Sequence, residues 1–164
     1  MHLRPYNSND FDTIQKWSTD ARTHAMWSAN ILPYPLELTG FEKAMADVAV
    51  KWGDTPFVAE ADNGKIIGFF SFSLNHDTKE AMLKFVIIDS KMRGKGYGRE
   101  MLELAVKYAF EEKGAEAVQL NVFAENTGAR KCYTKAGFTD RSVTENVFSF
   151  KDEKWSRCNM VAVK

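Results

Sequence analysis

The segment "SKMRGKGYGRE" (Ser90–Glu100) carries four cationic side chains where a helix is expected to begin. It follows the apolar run "KFVIID" and precedes an amphipathic pattern, so the sequence predicts a strand, a turn and a helix in that order. A helix start bears about half a positive elementary charge and normally attracts acidic side chains. Lys91, Arg93, Lys95 and Arg99 contradict that preference. They become favourable when a polyanion binds between them and the exposed backbone amides.

Glycines in the same segment strengthen the prediction of a phosphate site. Gly94, Gly96 and Gly98 have no Cβ, so the backbone can approach a ligand closely. A flexible, solvated turn is the alternative, but the strand before it and the helix after it favour a phosphate cradle. The segment lacks the Gly-Lys-Ser/Thr of a magnesium-binding nucleotide loop, and Gly98 comes one residue early for G-x-G-x-x-G. A dinucleotide site is therefore the weaker interpretation.

Composition excludes several classes of protein. The 164 residues, 45% of them hydrophobic, predict a single domain over 1–164 with its own core. Lys plus Arg and Asp plus Glu number 22 each, which predicts neither nucleic acid nor an anionic membrane as a partner. Without a signal-peptide core or a bilayer-spanning apolar run, the sequence predicts a cytoplasmic protein. Scattered His residues and two Cys residues without a CxxC pair predict no metal site and reduced thiols.

Periodicity and turn signals predict the element order βααβββαβαββ. Asp62-Asn63-Gly64 between two β-rich runs is a strong hairpin signal, and "AMLKFVIID" has the apolar character of an interior strand. Helices are predicted from about Gly96 to Glu112 and within "NTGARKCYTKA". The aromatic- and Pro-rich residues 21–38 are predicted to be a long connection between the first two helices. The fold class is α/β (α+β): a mixed, mostly antiparallel sheet with helices on both faces.

Two motifs resemble those of a known family. Arg93-Gly94-Lys95-Gly96-Tyr97-Gly98 is similar to the Gln/Arg-x-x-Gly-x-Gly/Ala signature of the GNAT superfamily of acyl-CoA-dependent N-acyltransferases. Downstream, "ENTGARKCYTKAGF" (Glu125–Phe138) resembles the family's second motif, an Asn followed by a short helix that carries a Tyr and ends in Gly-Phe. The predicted element order resembles that fold over nearly the whole chain. Within the family, the sequence resembles the branches that acetylate ribosomal-protein N-termini.

This resemblance implies acetyl-CoA as cosubstrate and direct transfer of the acetyl group to a primary amine in a ternary complex. A strand backbone would bind the pantetheine arm like an added strand, and one amide near Ile87 would stabilise the oxyanion. Asn126 matches a cofactor-contacting Asn, with a plain helix cap as the alternative. The cofactor-binding positions implied are Val86, Ile87, Ile88, Arg93, Gly94, Lys95, Gly96, Tyr97, Gly98, Arg99 and Asn126.

For catalysis, the resemblance implies one residue and leaves another open. Tyr133 matches the Tyr that protonates the departing thiolate in many members, and a Tyr packed against the sheet is the alternative. Asn121 stands where the ribosomal-protein branch has a Glu, and an amide cannot take up a proton at neutral pH. The general base is therefore not assigned. Its candidates, each also compatible with an ordinary surface role, are His24, His76, Glu80 and Glu125.

The sequence does not identify the acceptor, which is either a small-molecule amine or a protein N-terminus. Trp27, Tyr34 and Trp52 are candidates for the walls of its pocket, or else for core under a loop. Lys131 and Lys135 either face the cofactor's 3′-phosphate or are solvated. A non-catalytic acyl-CoA-binding module and a nucleotide-dependent oxidoreductase remain as alternatives. A homodimer formed through the edge strands of the C-terminal hairpin is compatible with the sequence.

Overall fold

A computed structural model describes all residues, 1–164. The chain forms one sheet of seven strands in the order β1-β2-β3-β4-β5-β7-β6. Every neighbouring pair is antiparallel except β4 and β5, which are parallel. The strands are β1 (His2–Pro5), β2 (Thr55–Glu60), β3 (Ile66–Asn75), β4 (Glu80–Ile88), β5 (Ala117–Phe123), β6 (Thr139–Phe150) and β7 (Glu153–Val163). The fold class predicted from the sequence is confirmed.

Helices cover both faces of this sheet. Apolar side chains of α4 and α5 pack into the core on one face, and those of α1 and α3 pack into the core on the other. None of the helices is long and apolar enough to span a membrane. The helices are α1 (Phe11–Ile14), α2 (Ala21–Ser28), α3 (Leu38–Trp52), α4 (Tyr97–Lys107) and α5 (Thr127–Lys135), and α4 continues as a π-helical turn over Tyr108–Glu112.

Helix α2 was not expected from the sequence, which predicted a loop over 21–38. Its start is fixed by the Asp20 side chain, which accepts a hydrogen bond of 2.9 Å from the Thr23 amide. The sequence of α2 lacks the helical periodicity of apolar residues, because two of its three buried residues, His24 and Ser28, are polar and only Ala25 is apolar. The element order therefore contains one more helix than predicted, βαααβββαβαββ.

Strand β4 is interior, as predicted, but it pairs incompletely with β5. The parallel ladder joins only Glu80–Leu83 to Ala117–Leu120. Beyond it, β4 remains paired with β3, and β5 remains paired with β7. The two central strands therefore separate towards their carboxyl ends.

A β-bulge lies where this separation begins. Lys84 is opposite Ser71 and Ile87 is opposite Phe69, so β4 has one more residue here than β3. Phe85 takes a left-handed conformation with φ of 53°. Before the bulge, the buried side chains of β4 enter the core beneath α4, and after it they enter the core beneath α3. The bulge thus exchanges the two faces of the strand.

A buried ion pair holds β4 immediately before the bulge. The Lys84 ammonium pairs with Asp54, whose side chain is fully buried between α3 and β2. The Ser71 hydroxyl donates to the same carboxylate at 2.8 Å, and Lys84 also donates to Ser73 at 3.1 Å. Because all of these polar groups are paired, their burial is tolerated.

Asp54→Asn should destabilise the fold by about 3 kcal/mol, because it leaves the Lys84 ammonium without its charged partner in a largely buried site. Urea unfolding measures this loss. The matched control is Asp47→Asn, which breaks the exposed Lys43–Asp47 pair, where a cost below about 0.5 kcal/mol is expected. Equal losses in the two variants would contradict the role given to the buried pair.

Candidate active site

The separation of β4 from β5 opens a cavity of about 720 Å³. One end is formed by the glycine segment and the start of α4 together with α5, and the other by α2 and the end of β5. The walls between them are the splayed halves of the two strands. A single cavity therefore connects the predicted phosphate site to the opposite face of the sheet.

Free backbone amides form the first end. The first helical hydrogen bond of α4 runs from the Glu100 amide to the Gly96 carbonyl at 3.0 Å. No group of the chain accepts a hydrogen bond from the amides of residues 94–99, and no side chain caps the helix. Gly94 and Gly96 have φ of 75° and 90°, values that an L side chain rarely adopts. Such amides at a helix start bind anions, phosphate above all.

Cationic side chains surround these amides unevenly. Arg93 and Arg99 line the cavity, but Lys95 does not. Helix α5 adds Lys131 and Lys135 to the same lining. Of the segment's predicted cofactor-binding residues, Lys95 and Tyr97 are outside the lining.

Gly98 has a different role from the other two glycines of the segment. A Cβ at this position would lie 3.1 Å from the Cys132 Sγ and 3.4 Å from the Ile88 Cγ1. Glycine therefore lets the first turn of α4 pack closely against α5 and β4. This contact brings the amide cradle next to the wall of the cavity formed by β4.

Val86, Ile87 and Ile88 all line the cavity, but their backbone groups differ in direction. The Asp89 amide donates to the Ile67 carbonyl at 2.9 Å, so this position is bonded across to β3. Because bonded positions alternate in an antiparallel ladder, the backbone of Ile87 is directed at β3 as well. Val86 and Ile88 consequently direct their backbone groups at the cavity, so the free amide nearest to Ile87 on its N-terminal side is that of Val86.

Helix α5 brings the two predicted residues of the second motif to the cavity. Asn126 lines it and also caps the helix, because its side chain accepts a bond of 3.3 Å from the Ala129 amide. Tyr133 lines it with only 8% of its surface exposed. Its hydroxyl makes no hydrogen bond within the chain, and burial raises the pKa of this phenol. Tyr133 is therefore a protonated donor without a partner in the protein.

The second end of the cavity contains a single carboxylate, that of Glu125. Arg22 also lines it, but its guanidinium donates two bonds of 2.9 Å to Glu153 and lies 5.3 Å from the centre of the Trp155 ring. These hydrogen bonds from Arg22 lower the pKa of Glu153 to about 2, so the pair stays ionised and mutually neutralised. The net charge at this end is therefore negative and comes from Glu125.

The other predicted candidates for the general base lie outside the lining. His24 is fully buried, with Nε2 2.8 Å from the Leu32 carbonyl and Nδ1 3.2 Å from the Ser18 hydroxyl. Glu80 pairs with Arg141, and His76 is in the turn between β3 and β4. No three His, Cys, Asp or Glu side chains are grouped so as to hold a metal ion.

Only one of the three aromatic residues predicted for the acceptor pocket lines the cavity. Trp27 lines the cavity, whereas Tyr34 and Trp52 do not. Arg22, Thr23 and Met26 line it without having been predicted, because the helix that carries them was taken for a loop. The Asp20-x-x-Thr23 cap was the one sequence signal that could have located them.

Residues 12–138 match the model of the acetyltransferase (GNAT) family. The chain belongs to the GNAT acetyltransferase family. It is 32% identical over 94 residues to an uncharacterized N-acetyltransferase of Methanocaldococcus jannaschii, covering 54% of this chain and 41% of that protein. A second uncharacterized N-acetyltransferase of the same organism is 26% identical over 147 residues, covering 87% and 81%. The chain thus spans less than half of the first relative's length.

Solved structures share the fold at low identity. The spermidine N-acetyltransferase from Vibrio cholerae, in complex with CoA and spermine, superposes with a TM-score of 0.82 at 20% identity, covering 98% of this chain and 94% of that chain. A chimera of that enzyme with hSSAT gives a TM-score of 0.80 at 20% identity, covering 99% and 96%. The resemblance to the ribosomal-protein branch has no support among these relatives, whereas membership of the broader family is established.

Tyr133→Phe should lower kcat by about 100-fold, because it would remove the hydroxyl to which the family resemblance assigns protonation of the leaving group. The dissociation constant of acetyl-CoA and the thermal stability should stay nearly unchanged, since the hydroxyl has no partner in the protein. Thiol-release assays measure kcat, and calorimetry measures the dissociation constant and the thermal stability. Tyr108→Phe is the matched control, because this half-buried Tyr packs against Phe57 and Phe72 outside the cavity. Equal turnover in both variants would end the role assigned to Tyr133.

Proposed function

We propose that this GNAT protein transfers the acetyl group of acetyl-CoA to a primary amine by direct attack in a ternary complex. The observation that carries the proposal is the continuous cavity through the sheet, with free amides and cations at one end and a single carboxylate at the other. The first end suits the diphosphate of CoA, and the second suits an ammonium group. The carbonyl carbon of the thioester would lie between them.

The cofactor end supports binding of CoA through its backbone more than through its side chains. The amides of residues 94–99 would receive the pyrophosphate oxygens, assisted by Arg93 and Arg99. The pantetheine arm would follow Val86 and Ile88, whose backbone groups face the cavity, in the manner of an added strand. Asn126 lines the same cavity and would contact the arm while capping α5. Lys131 and Lys135 would attract the remaining phosphate.

Transfer requires four groups at the middle of the cavity. The amine nitrogen attacks the thioester carbon, and the Val86 amide stabilises the oxyanion that forms. The carbon–sulfur bond then breaks, and the CoA thiolate takes the proton of the Tyr133 hydroxyl. Before the attack, the acceptor ammonium gives one proton to solvent, directly or through Glu125, because only the neutral amine has a free lone pair. A second proton leaves nitrogen as the amide forms, and solvent returns one to the Tyr133 oxygen. The products are an amide and CoA with a free thiol.

The charge at the second end favours a cationic acceptor. Glu125 is the only carboxylate in the lining, and the charge of Arg22 is already neutralised by Glu153. A small amine whose nitrogen binds beside Glu125 as an ammonium, before it loses a proton and attacks, fits this arrangement. Polyamines are the first class to test, because a solved fold neighbour binds CoA and spermine. A protein N-terminus is the second class.

Glu125→Gln should lower kcat/KM for a cationic amine by about 10-fold, because the lost charged hydrogen bond is worth roughly 1.5 kcal/mol. The KM of acetyl-CoA should not change, since Glu125 is at the opposite end of the cavity. Initial rates with spermidine, putrescine and a peptide N-terminus, each with acetyl-CoA, measure both constants and rank the acceptors.

The matched control is Glu112→Gln, which removes an exposed carboxylate outside the cavity. An equal fall in kcat/KM in both variants would show that the effect comes from the overall charge of the protein and not from the position of Glu125 in the cavity. Uptake of acetyl-CoA without thiol release for any amine would instead favour a non-catalytic acyl-CoA-binding module.

A further inference from the structure

The Phe85–Val86 peptide lies at the centre of the bulge and is held from outside the sheet. Phe85 has φ of 53°, in the left-handed region that is costly for a bulky side chain. The bulge also takes its carbonyl out of the regular ladder, because two residues of β4 face one residue of β3 at this point. A strained peptide of this kind persists only when its surroundings hold it.

Trp27 supplies that support. Its indole Nε1–H donates to the Phe85 carbonyl at 2.8 Å across 58 residues of sequence. Trp27 belongs to α2, and this hydrogen bond ties α2 directly to the bulge. The bond is partly buried, which makes it stronger than an exposed one.

Anchoring the Phe85 carbonyl also determines where the Val86 amide points. The two groups belong to one planar peptide unit, in which C=O and N–H are directed oppositely. When Trp27 draws the carbonyl towards α2, the Val86 N–H must face away from α2. That amide is the one that the ladder register leaves free to serve the cavity.

Trp27 is itself fixed by its neighbours. His24, one turn earlier on α2, meets the Trp27 ring edge-on with ring centres 5.8 Å apart. His24 is fully buried, and its two ring nitrogens are engaged by the Ser18 hydroxyl and the Leu32 carbonyl. The Asp20 cap fixes the start of the helix. The contacts of His24 and the Asp20 cap therefore fix the orientation of the Trp27 indole.

We propose that Trp27 is a positioning residue for acetyl transfer: its indole hydrogen bond holds the Phe85–Val86 peptide so that the Val86 amide is aimed at the thioester oxygen. This inference rests on the proposed function and adds to it a residue outside the two sequence motifs. Trp27 acts through the backbone of β4 and takes part in no proton transfer.

The test compares Trp27→Phe with Trp52→Phe. The first substitution keeps an aromatic ring and removes the N–H that binds the Phe85 carbonyl. The second makes the same change at a half-exposed Trp whose indole N–H donates to no group of the chain and which is outside the cavity. The two variants therefore differ in the hydrogen bond to β4.

At saturating acetyl-CoA and amine, Trp27→Phe should lower kcat by about 10-fold, because a misdirected oxyanion donor loses part of its effect. The acetyl-CoA dissociation constant and the KM of the amine should change by less than about 2-fold, since Trp27 is given no part in binding either. Trp52→Phe should leave all three constants unchanged. A loss confined to the KM of the amine would overturn the proposal and make Trp27 a wall of the acceptor pocket.

Amide hydrogen exchange tests the same hydrogen bond without any acceptor. Exchange over residues 84–88 should be faster in Trp27→Phe than in Trp52→Phe, because the peptide loses its anchor. Equal exchange in the two variants would overturn the proposal. Failure of the native chain to acetylate any amine would refute the proposed function, while the exchange result still decides whether Trp27 holds the bulge.

Discussion

The central constraint of this structure is the interruption of the parallel ladder between β4 and β5. Parallel strands in the interior of a sheet normally stay paired along their length, because an unpaired buried backbone is costly. Here the pairing ends after Leu83 and Leu120, and an extra residue in β4 turns the strand away. The cavity, the exposed backbone of Val86 and Ile88, and the route through the sheet all follow from this interruption.

The charge distribution of the chain is arranged around that opening. Overall neutrality conceals a local asymmetry, in which Arg93, Arg99, Lys131 and Lys135 line one end and Glu125 lines the other. The cations at the start of α4 oppose the helix dipole only while no anion is bound. A diphosphate would be attracted by the same side chains and by the dipole together. The arrangement would thus contribute to binding of an anionic carrier, whereas by itself it weakens the helix.

Much of the fold could be predicted because its signals are local. The Asn63-Gly64 turn, the apolar run ending at Asp89 and the glycine segment each gave the correct element. A local pattern fails at the start of α3, where Thr39 and Glu42 have the spacing of a capping box. The helix begins one residue earlier, and Glu42 accepts a bond from Ser8 instead. That partner is distant in sequence, so no local pattern could indicate it.

The residues at the glycine-segment end of the cavity could be predicted for the same reason, and those at the opposite end could not. Backbone amides at a glycine-rich helix start need only a local motif. The opposite end depends on where α2 packs and on long-range contacts, such as Arg22 with Glu153, 131 residues apart. The bulge at Phe85 could not be predicted either, because no sequence pattern indicates a positive φ at a bulky residue. Membership of the family therefore specifies the cofactor more closely than the acceptor.

The most direct measurement is a crystal structure of the chain with CoA. The account predicts that the pantetheine arm lies between β4 and β5 beyond Leu83 and Leu120, with its amides bonded to Val86 and Ile88. The pyrophosphate oxygens should lie about 3 Å from the backbone nitrogens of residues 94–99. CoA bound elsewhere, or bound while β4 and β5 close into a continuous ladder, would contradict the account.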